Sequence, residues 1–484
     1  MKTRSVDVMK KFFGRAFEQE QLNKIASAKE ASMIVIYGRR RVGKTELIEQ
    51  TLRTRNLLKF EGIEGLTQEK QLANVMEQLS IYLEEPLLAK TVIGSWREFF
   101  QVLAKYTGKG VWTIYLEELQ WLASYGSNLV AELKYVWDNY FRHNPDLLIV
   151  LCGSAPTFML DYVIHSKALY NRSQYEMHLA EFGLPDTREF LSKRSSREVM
   201  NAYLTVGGIP EYLKWVNKES SVLLGLCNNA FIAGSFFSRE YEKIFTSSLA
   251  NNKHYRRIIE LLSDCRFATR DELAKKLGVQ AGGSLTTTLV DLEKSGFITK
   301  YHPFNLERST MLSRYAIDDN YLQFYFKFIK PIERDIAAGS YNQNPRSALN
   351  MDSYVKWLGF SFERFCRKYH RVIAKILGFG GVQYESGAFF SRATEKAVKG
   401  YQIDLIYDRL DNVYTICEIK YLQGKVGTSV IDEFERKLAL FPNKSNKTIQ
   451  KVLVCSEGVD QALEDRSYFD AIITLDQLLD ARNW

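Results

Sequence analysis

Met33-Ile-Val-Ile-Tyr37 runs directly into Gly38-Arg-Arg-Arg-Val-Gly-Lys44-Thr45, and Glu46-Leu-Ile-Glu-Gln-Thr-Leu52 follows. The first stretch is short, apolar and β-branched, which reads as a buried strand. The last has helical spacing. Strand, GxxxxGKT, helix is the context that a phosphate-binding loop needs. Glycines at 38 and 43 let the backbone turn so that successive N–H groups face one point. The helix N-terminus adds partial positive charge there. Lys44 can then reach the β- and γ-phosphates of a nucleotide, and the Thr45 hydroxyl can ligate Mg²⁺. Gly38, Arg39, Arg40, Arg41, Val42, Gly43, Lys44 and Thr45 are therefore candidate nucleotide-binding residues. The bland alternative is a coincidental Gly-rich turn.

Such a loop needs a carboxylate on a neighbouring strand. Val111-Trp-Thr-Ile-Tyr-Leu116 is a second apolar run, and it ends in Glu117-Glu118. Glu117 is the candidate for the Mg²⁺ shell and Glu118 for polarising the attacking water. A strand that simply ends in solvated acids is the competing reading. A third run, Leu147-Leu-Ile-Val-Leu-Cys152, leads into Gly153-Ser154. Ser154 at that strand tip is a candidate sensor of the γ-phosphate, although Ser after a strand is also ordinary turn chemistry. Helical stretches at Gln68–Leu83 and Leu129–Phe141 lie between the strands. This alternation predicts a parallel sheet with its ligand at the strand C-termini.

The rest of the chain limits the alternatives. With 484 residues, two to four domains are expected. The 46% hydrophobic and 25% charged composition is that of a globular protein, not of a disordered or fibrous one. No window approaches 18 uninterrupted apolar residues, and Met1–Arg15 has no apolar core of a secretory signal. Cys152, Cys227, Cys265, Cys366, Cys417 and Cys455 lie far apart with no CxxC pair, which argues against zinc and a disulfide framework. Reduced thiols in a cytoplasm are the expectation. The net charge of +8 permits nucleic-acid contact without demanding it.

Several further segments carry a resemblance. Phe12-Phe-Gly14-Arg15-Ala16-Phe-Glu18 resembles the FxGRExE segment that precedes the phosphate loop in STAND-type P-loop ATPases of the AAA+ relatives. There it lies beside the nucleotide base, which makes Arg15 a cofactor-binding candidate. Leu169-Tyr-Asn-Arg172 is similar to the LYGR segment of the archaeal/bacterial ATPase family within that group, and Gly207-Gly-Ile-Pro210-Glu-Tyr212-Leu to its GGIPxYL segment in the helical lid. Ala16, Asn171 and Glu117 stand where the family usually has Glu, Gly and Asp. The resemblance implies ATP as the nucleotide and Arg172 as a phosphate-sensing or finger arginine. A surface arginine on a helix end is the alternative for Arg172.

The middle of the chain is helical from about 188 to 245, with a break at Gly207-Gly208. Gly183-Leu-Pro185-Asp186 reads as a turn whose Asp186 caps a helix over Thr187–Lys193. Residues 252–318 predict three short helices and a hairpin, the elements of a winged helix. Thr269-Arg-Asp-Glu272 forms a capping box. The third helix, Ser284–Lys294, presents Ser284, Thr286, Thr287 and Thr288 but one basic residue, Lys294. That favours a structural or regulatory role over DNA reading, while Lys300, Arg308 and Arg314 on the wing keep the other option open. Tyr321–Lys330 reads as a packing helix, and Gly339–Pro345 as a linker.

The C-terminal third holds a second constellation. Tyr354–Leu377 is a long helical stretch containing Glu363. Gly400-Tyr-Gln-Ile-Asp404-Leu-Ile-Tyr407 and Val413-Tyr-Thr-Ile-Cys-Glu418-Ile-Lys420-Tyr read as strands joined by a turn at Asp411-Asn412. Alternation puts Glu418 and Lys420 on one face. The turn brings Asp404 near Glu418, so two carboxylates can share one Mg²⁺ while Lys420 orients or deprotonates a water. The spacing resembles the PD-(D/E)XK nuclease core and the C-terminal domain fused to many ATPases of the family above. That resemblance implies Glu363 as the helix acid, Asp404 and Glu418 as metal ligands, Lys420 as the catalytic lysine and Lys437 as a further active-site lysine.

The fold class expected is α/β: a P-loop NTPase parallel sheet (1–155), a helical lid (156–250), a winged-helix-like domain (251–318), a connector (319–350) and a restriction-endonuclease-like α/β domain (351–484). The expected function is an ATP-binding switch, with Mg²⁺, that controls a nuclease-like effector acting on DNA or RNA, with homo-oligomers an option and no membrane. A nucleotide-gated adaptor with an inactive C-terminal domain and an ATP-driven remodelling ring are the rival expectations.

Overall fold

Alternation along the first strand is two-sided. Met33 and Val35 enter one apolar core, while Ile34 and Ile36 enter another. Leu147, Ile149 and Leu151 divide in the same way from Leu148, Val150 and Cys152. Strands buried on both faces belong to the middle of a parallel sheet covered by helices. The computed structural model describes residues 12–167, 169, 175–247, 253–302, 304, 313–391 and 400–484. In it, β1 (Ser32–Tyr37), β2 (Asn56–Glu61), β3 (Trp112–Glu117), β4 (Leu147–Gly153) and β5 (Tyr175–His178) form a wholly parallel sheet of order β2-β3-β4-β1-β5. Helix α1 (Lys44–Thr51) follows β1. Tyr170, Asn171, Arg172 and Arg308 lie outside the described residues.

A helical segment follows, with α2 (Leu184–Phe190), α3 (Ser196–Val206), α4 (Pro210–Val216), α5 (Val222–Phe231) and α6 (Phe236–Ser247). The expected cap at Asp186 needs correction. Gly183 is the N-cap of α2, and Asp186 sits within its first turn. Pro185 belongs to that turn because its missing N–H costs nothing there. Gly207 and Gly208 end α3 because the chain folds back onto 181–182. The N–H of Gly208 donates to the Glu181 carboxylate at 3.0 Å, and its carbonyl accepts from the Phe182 N–H at 2.8 Å. A Cβ on Gly208 would lie 2.0 Å from the Phe182 carbonyl oxygen. Gly208→Ala is therefore expected to cost about 1–3 kcal/mol by forced backbone displacement, read as a lower urea midpoint.

Next come α7 (Lys253–Ser263), β6 (Ala268–Thr269), α8 (Arg270–Leu277), α9 (Gly283–Lys294), β7 (Ile298–Tyr301) and β8 (Arg314–Ile317). The strands form an antiparallel sheet of order β6-β8-β7. The Thr269–Glu272 capping box opens α8. The aromatic stretch after it is less regular than a single helix. After α10 (Asn320–Phe324), the turns widen into a π-helix over Tyr325–Ile329 and tighten at Lys330–Ile332, where Pro331 lacks an N–H.

The last region has α11 (Met351–Lys368) and α12 (His370–Ile376) where one long helix was expected. The break falls at Tyr369, whose hydroxyl meets that of Tyr203 at 2.5 Å and whose ring packs on Trp484. Strands β9 (Tyr384–Ser391), β10 (Tyr401–Arg409), β11 (Val413–Lys420), β12 (Thr448–Cys455) and β13 (Ala471–Ile473) form a mixed sheet of order β13-β12-β11-β10-β9, with α13 (Ser429–Leu440) crossing from β11 to β12. One apolar core runs continuously from Phe182 in the helical segment to Leu479 in this last region. All six cysteines are free thiols. No helix among the described residues is long and apolar enough to cross a membrane.

Candidate functional site

The phosphate loop turns sharply because three conformations in it are unusual. Gly38, Arg41 and Gly43 all have positive φ, and Gly43, at 91°, is the N-cap of α1. The first N–H groups of α1 have no intrahelical partner and so point toward the loop interior. Lys44 is buried, and its ammonium donates to the carbonyls of Gly38 (2.9 Å) and Arg39 (3.0 Å). Val42 differs from its neighbours: its side chain is in the core beneath the sheet, so it can offer a ligand backbone alone. Its carbonyl accepts from Nη2 of Arg15 at 3.0 Å, and Ala180 accepts from the same nitrogen at 2.6 Å. Arg15 is thus a buried brace behind the loop. Burial pulls its guanidinium below the usual arginine range, with Glu18, Asp186 and Glu181 opposing.

At the ends of β3 and β4 the predicted acids meet this loop. The Thr45 hydroxyl donates to Oε1 of Glu117, as does the Tyr115 hydroxyl at 2.8 Å. The Lys59 ammonium lies 2.7 Å from Oε2 of the same carboxylate. Glu118 has positive φ and turns the other way. Its Oε2 accepts from Ser154 Oγ (2.6 Å) and from Gln120 Nε2 (2.7 Å). Glu118 and Ser154 therefore act as one hydrogen-bonded unit. Thr45 and Glu117 make an all-oxygen donor set, which suits the hard cation Mg²⁺. Lys59, Tyr115 and Gln120 were not foreseen.

Two loop arginines engage groups distant in sequence. Arg39 donates to Asp319 and stacks over Phe297 at 4.5 Å. Arg41 donates to Glu240 at 2.5 Å and lies over Phe236 at 4.9 Å. Glu240 also accepts from Tyr212 at 2.8 Å, which ties in the Gly207–Leu213 segment. Arg40 stays exposed at the loop apex. Among the described residues, Nη2 of Arg39 is a buried donor with no hydrogen-bond partner.

In the last region Glu363, Asp404, Glu418, Lys420 and Lys437 converge. The pairing of β10 with β9 shifts register between Ile403 and Ile406, so a bulge falls at Asp404. Bulges re-aim side chains, often beside sites. Asp404 accepts from the Ile419 N–H (3.2 Å), and Gln402 bridges Asp404 (3.2 Å) to Glu363 (3.3 Å). Glu418, 1% exposed, is held by Lys437 at 2.7 and 3.0 Å and by Lys420 at 2.9 Å. Both lysines also face Glu433. Burial first, then Glu418 and Glu363, push the Asp404 carboxyl up to about 7. Among the described residues, no group of three or more His, Cys, Asp or Glu is arranged to hold a metal ion. Glu418 is charge-compensated by the two lysines, and Lys437 occupies both of its oxygens. The Gln402 bridge and Glu433 were not foreseen.

A family described as an ATPase domain predominantly from Archaea matches residues 12–216. An uncharacterized protein of Methanocaldococcus jannaschii is 26% identical over 361 residues, which span 74% of this chain and 77% of that one. Among solved structures, a Walker-type ATPase of Pyrococcus abyssi is 18% identical with a TM-score of 0.45, covering 65% of this chain and 96% of its own. The ORC2 protein of Aeropyrum pernix, in ADPNP–ADP complexes, is 14% identical with a TM-score of 0.46, covering 70% and 98%.

Proposed function

With residues 12–216 an ATP-binding ATPase domain of the P-loop kind, we propose that the whole chain is an ATP-operated switch whose C-terminal region is a nuclease-like effector acting on DNA or RNA. The observation that carries the coupling is the pair of loop arginines. Arg39 and Arg41 leave the phosphate loop and are held by Asp319 and Glu240. Asp319 opens α10, which joins the continuous core leading to α11 and β10. An anion on the loop competes with Asp319 and Glu240 for these guanidinium groups, so nucleotide occupancy biases how the later regions sit.

Bound Mg²⁺ would supply charge neutralisation for the phosphates. Thr45 and Glu117 would hold it, Glu118 would polarise the attacking water with Ser154 and Gln120 orienting its carboxylate, and Lys44 would hold the β- and γ-phosphates. Arg172 is proposed as the phosphate-sensing arginine and Arg15 as a brace of the loop. In the effector, Asp404 and Glu418 are the proposed metal ligands, Glu363 the helix acid, and Lys420 and Lys437 the lysines that orient a water. Residues 253–317, with their three helices and antiparallel sheet, are read as a winged helix in a regulatory role. What supports that role is Asp291 on α9, which accepts from Thr157 (3.1 Å) next to the β4 tip and from Tyr255 (2.6 Å). One face of α9 is thereby committed to the ATPase domain, and the exposed face carries Ser284, Thr286 and Thr287.

A nucleotide-gated adaptor is a second reading, favoured by the lysines that already neutralise Glu418. Incubating the full chain with single- and double-stranded DNA and RNA in Mn²⁺, with ATP, ADP or neither, separates the two. The effector reading expects cleavage that changes with nucleotide state, and expects Asp319→Asn to make it insensitive to nucleotide. Binding without cleavage in every state leaves the adaptor.

A further inference from the structure

Glu117 stands where the resemblance leads one to expect aspartate, and its surroundings explain the longer side chain. Parallel pairing sets Lys59 of β2 beside Tyr115 of β3, and Glu61 beside Glu117. Residues 115 and 117 share one face of β3. Lys59, Tyr115 and Glu117 therefore meet at the edge of the sheet that faces the phosphate loop. The Glu117 carboxylate spans from the Thr45 hydroxyl on one side to the Lys59 ammonium at 2.7 Å on the other. With Tyr115 also donating at 2.8 Å, both oxygens are occupied by three donors from three elements. An aspartate, one methylene shorter, could not make both ends of that bridge.

Lys59 is itself well fixed. Glu49 on α1 accepts from it at 3.1 Å, and its ammonium lies 5.7 Å from the Tyr115 ring centre.

We propose that Lys59 is a resident counter-cation for Glu117 which sets the affinity of the nucleotide site for its divalent metal. This rests on the phosphate-loop reading and goes beyond it. A hydrated Mg²⁺ held by Thr45 gains the help of Glu117 only when Lys59 gives up its contact, and the two cations repel across a few ångströms. The metal is therefore held more weakly than the oxygen ligands alone would hold it, and Glu117 stays oriented when no metal is present. A chain of this kind answers to changes in free divalent-metal concentration as well as to ATP.

The test titrates Mn²⁺ into the full chain with saturating ATP and follows bound Mn²⁺ by electron paramagnetic resonance. Lys59→Met is expected to tighten Mn²⁺ binding by roughly tenfold or more, since it removes a unit charge from a partly buried neighbour. Lys59→Gln keeps a donor for Glu117 without the charge and is expected to act like Lys59→Met. Lys59→Arg, which retains the charge, keeps the wild-type value. Equal or weaker Mn²⁺ binding in both neutral variants, with ATP binding intact, overturns this inference alone. Failure of wild-type protein to bind ATP at any metal concentration overturns the phosphate-loop reading and this inference with it.

Discussion

Lys44→Ala is expected to lower ATP affinity by roughly a hundredfold or more. The ammonium is buried at the mouth of the loop and now donates to the carbonyls of Gly38 and Arg39. Those two carbonyls belong to neutral amides, and a phosphate oxygen is a stronger acceptor. When ATP enters, the ammonium exchanges neutral carbonyl acceptors for anionic phosphate oxygens, and a hydrogen bond to a charged group is worth about 1.5–3 kcal/mol. Two such bonds lost amount to roughly a hundredfold to ten-thousandfold in Kd. Fluorescence titration with a labelled ATP analogue, in Mg²⁺, reads this directly. The loop itself survives the change, because Arg15 still braces Val42 and Gly43 still opens α1. A far-ultraviolet spectrum and melting curve close to wild type are therefore expected. Unchanged ATP affinity in the variant would remove Lys44 from the site and the nucleotide reading with it.

Strength of sequence signal explains which parts of this site could be read in advance. β1, β3 and β4 announce themselves as apolar runs because both of their faces are buried. β2 is Asn56-Leu-Leu-Lys-Phe-Glu61, and a lysine amid apolar neighbours reads as a solvated position. Its importance appears when Lys59 is seen against Glu117 across the strand pair. The one sequence hint was the glutamate at 117. β5, Tyr175-Glu-Met-His178, is a short and polar edge strand, so it carried no apolar signal. Asp319 and Glu240 lay further out of reach, since they partner arginines 280 and 199 residues away in the chain. In the last region, alternation put Glu418 and Lys420 on one face, and they meet at 2.9 Å. The bulge that turns Asp404 toward Ile419 depends on how β10 pairs with β9, which local spacing does not encode.

Asp404→Asn is expected to give two effects of opposite sign. The Asp404 carboxyl is 7% exposed and titrates at about 7 in the folded chain, pushed up by burial and then by Glu418 and Glu363. An unfolded aspartate titrates near 3.9. A carboxyl raised on folding contributes stability that is complete below the unfolded value and is lost as pH rises through the folded one. Wild-type and Asp404→Asn proteins should therefore be about equally stable near pH 4. Above pH 7 the variant should be the more stable by about 2–4 kcal/mol, because it no longer holds a costly buried charge. Urea unfolding at the two pH values measures the difference. If the proposed effector reading holds and Asp404 binds the metal, cleavage of nucleic acid with Mn²⁺ should move the other way, falling by roughly a thousandfold. A buried aspartate with a purely structural role would show the gain above pH 7 without any change in cleavage. A gain in stability without any cleavage by the wild type would assign the strained carboxylate to binding, as the adaptor reading requires. Equal stability at both pH values would mean that Asp404 is not held against the charges of Glu418 and Glu363. The second acidic site would then lose the property that sets it apart from a solvated strand end.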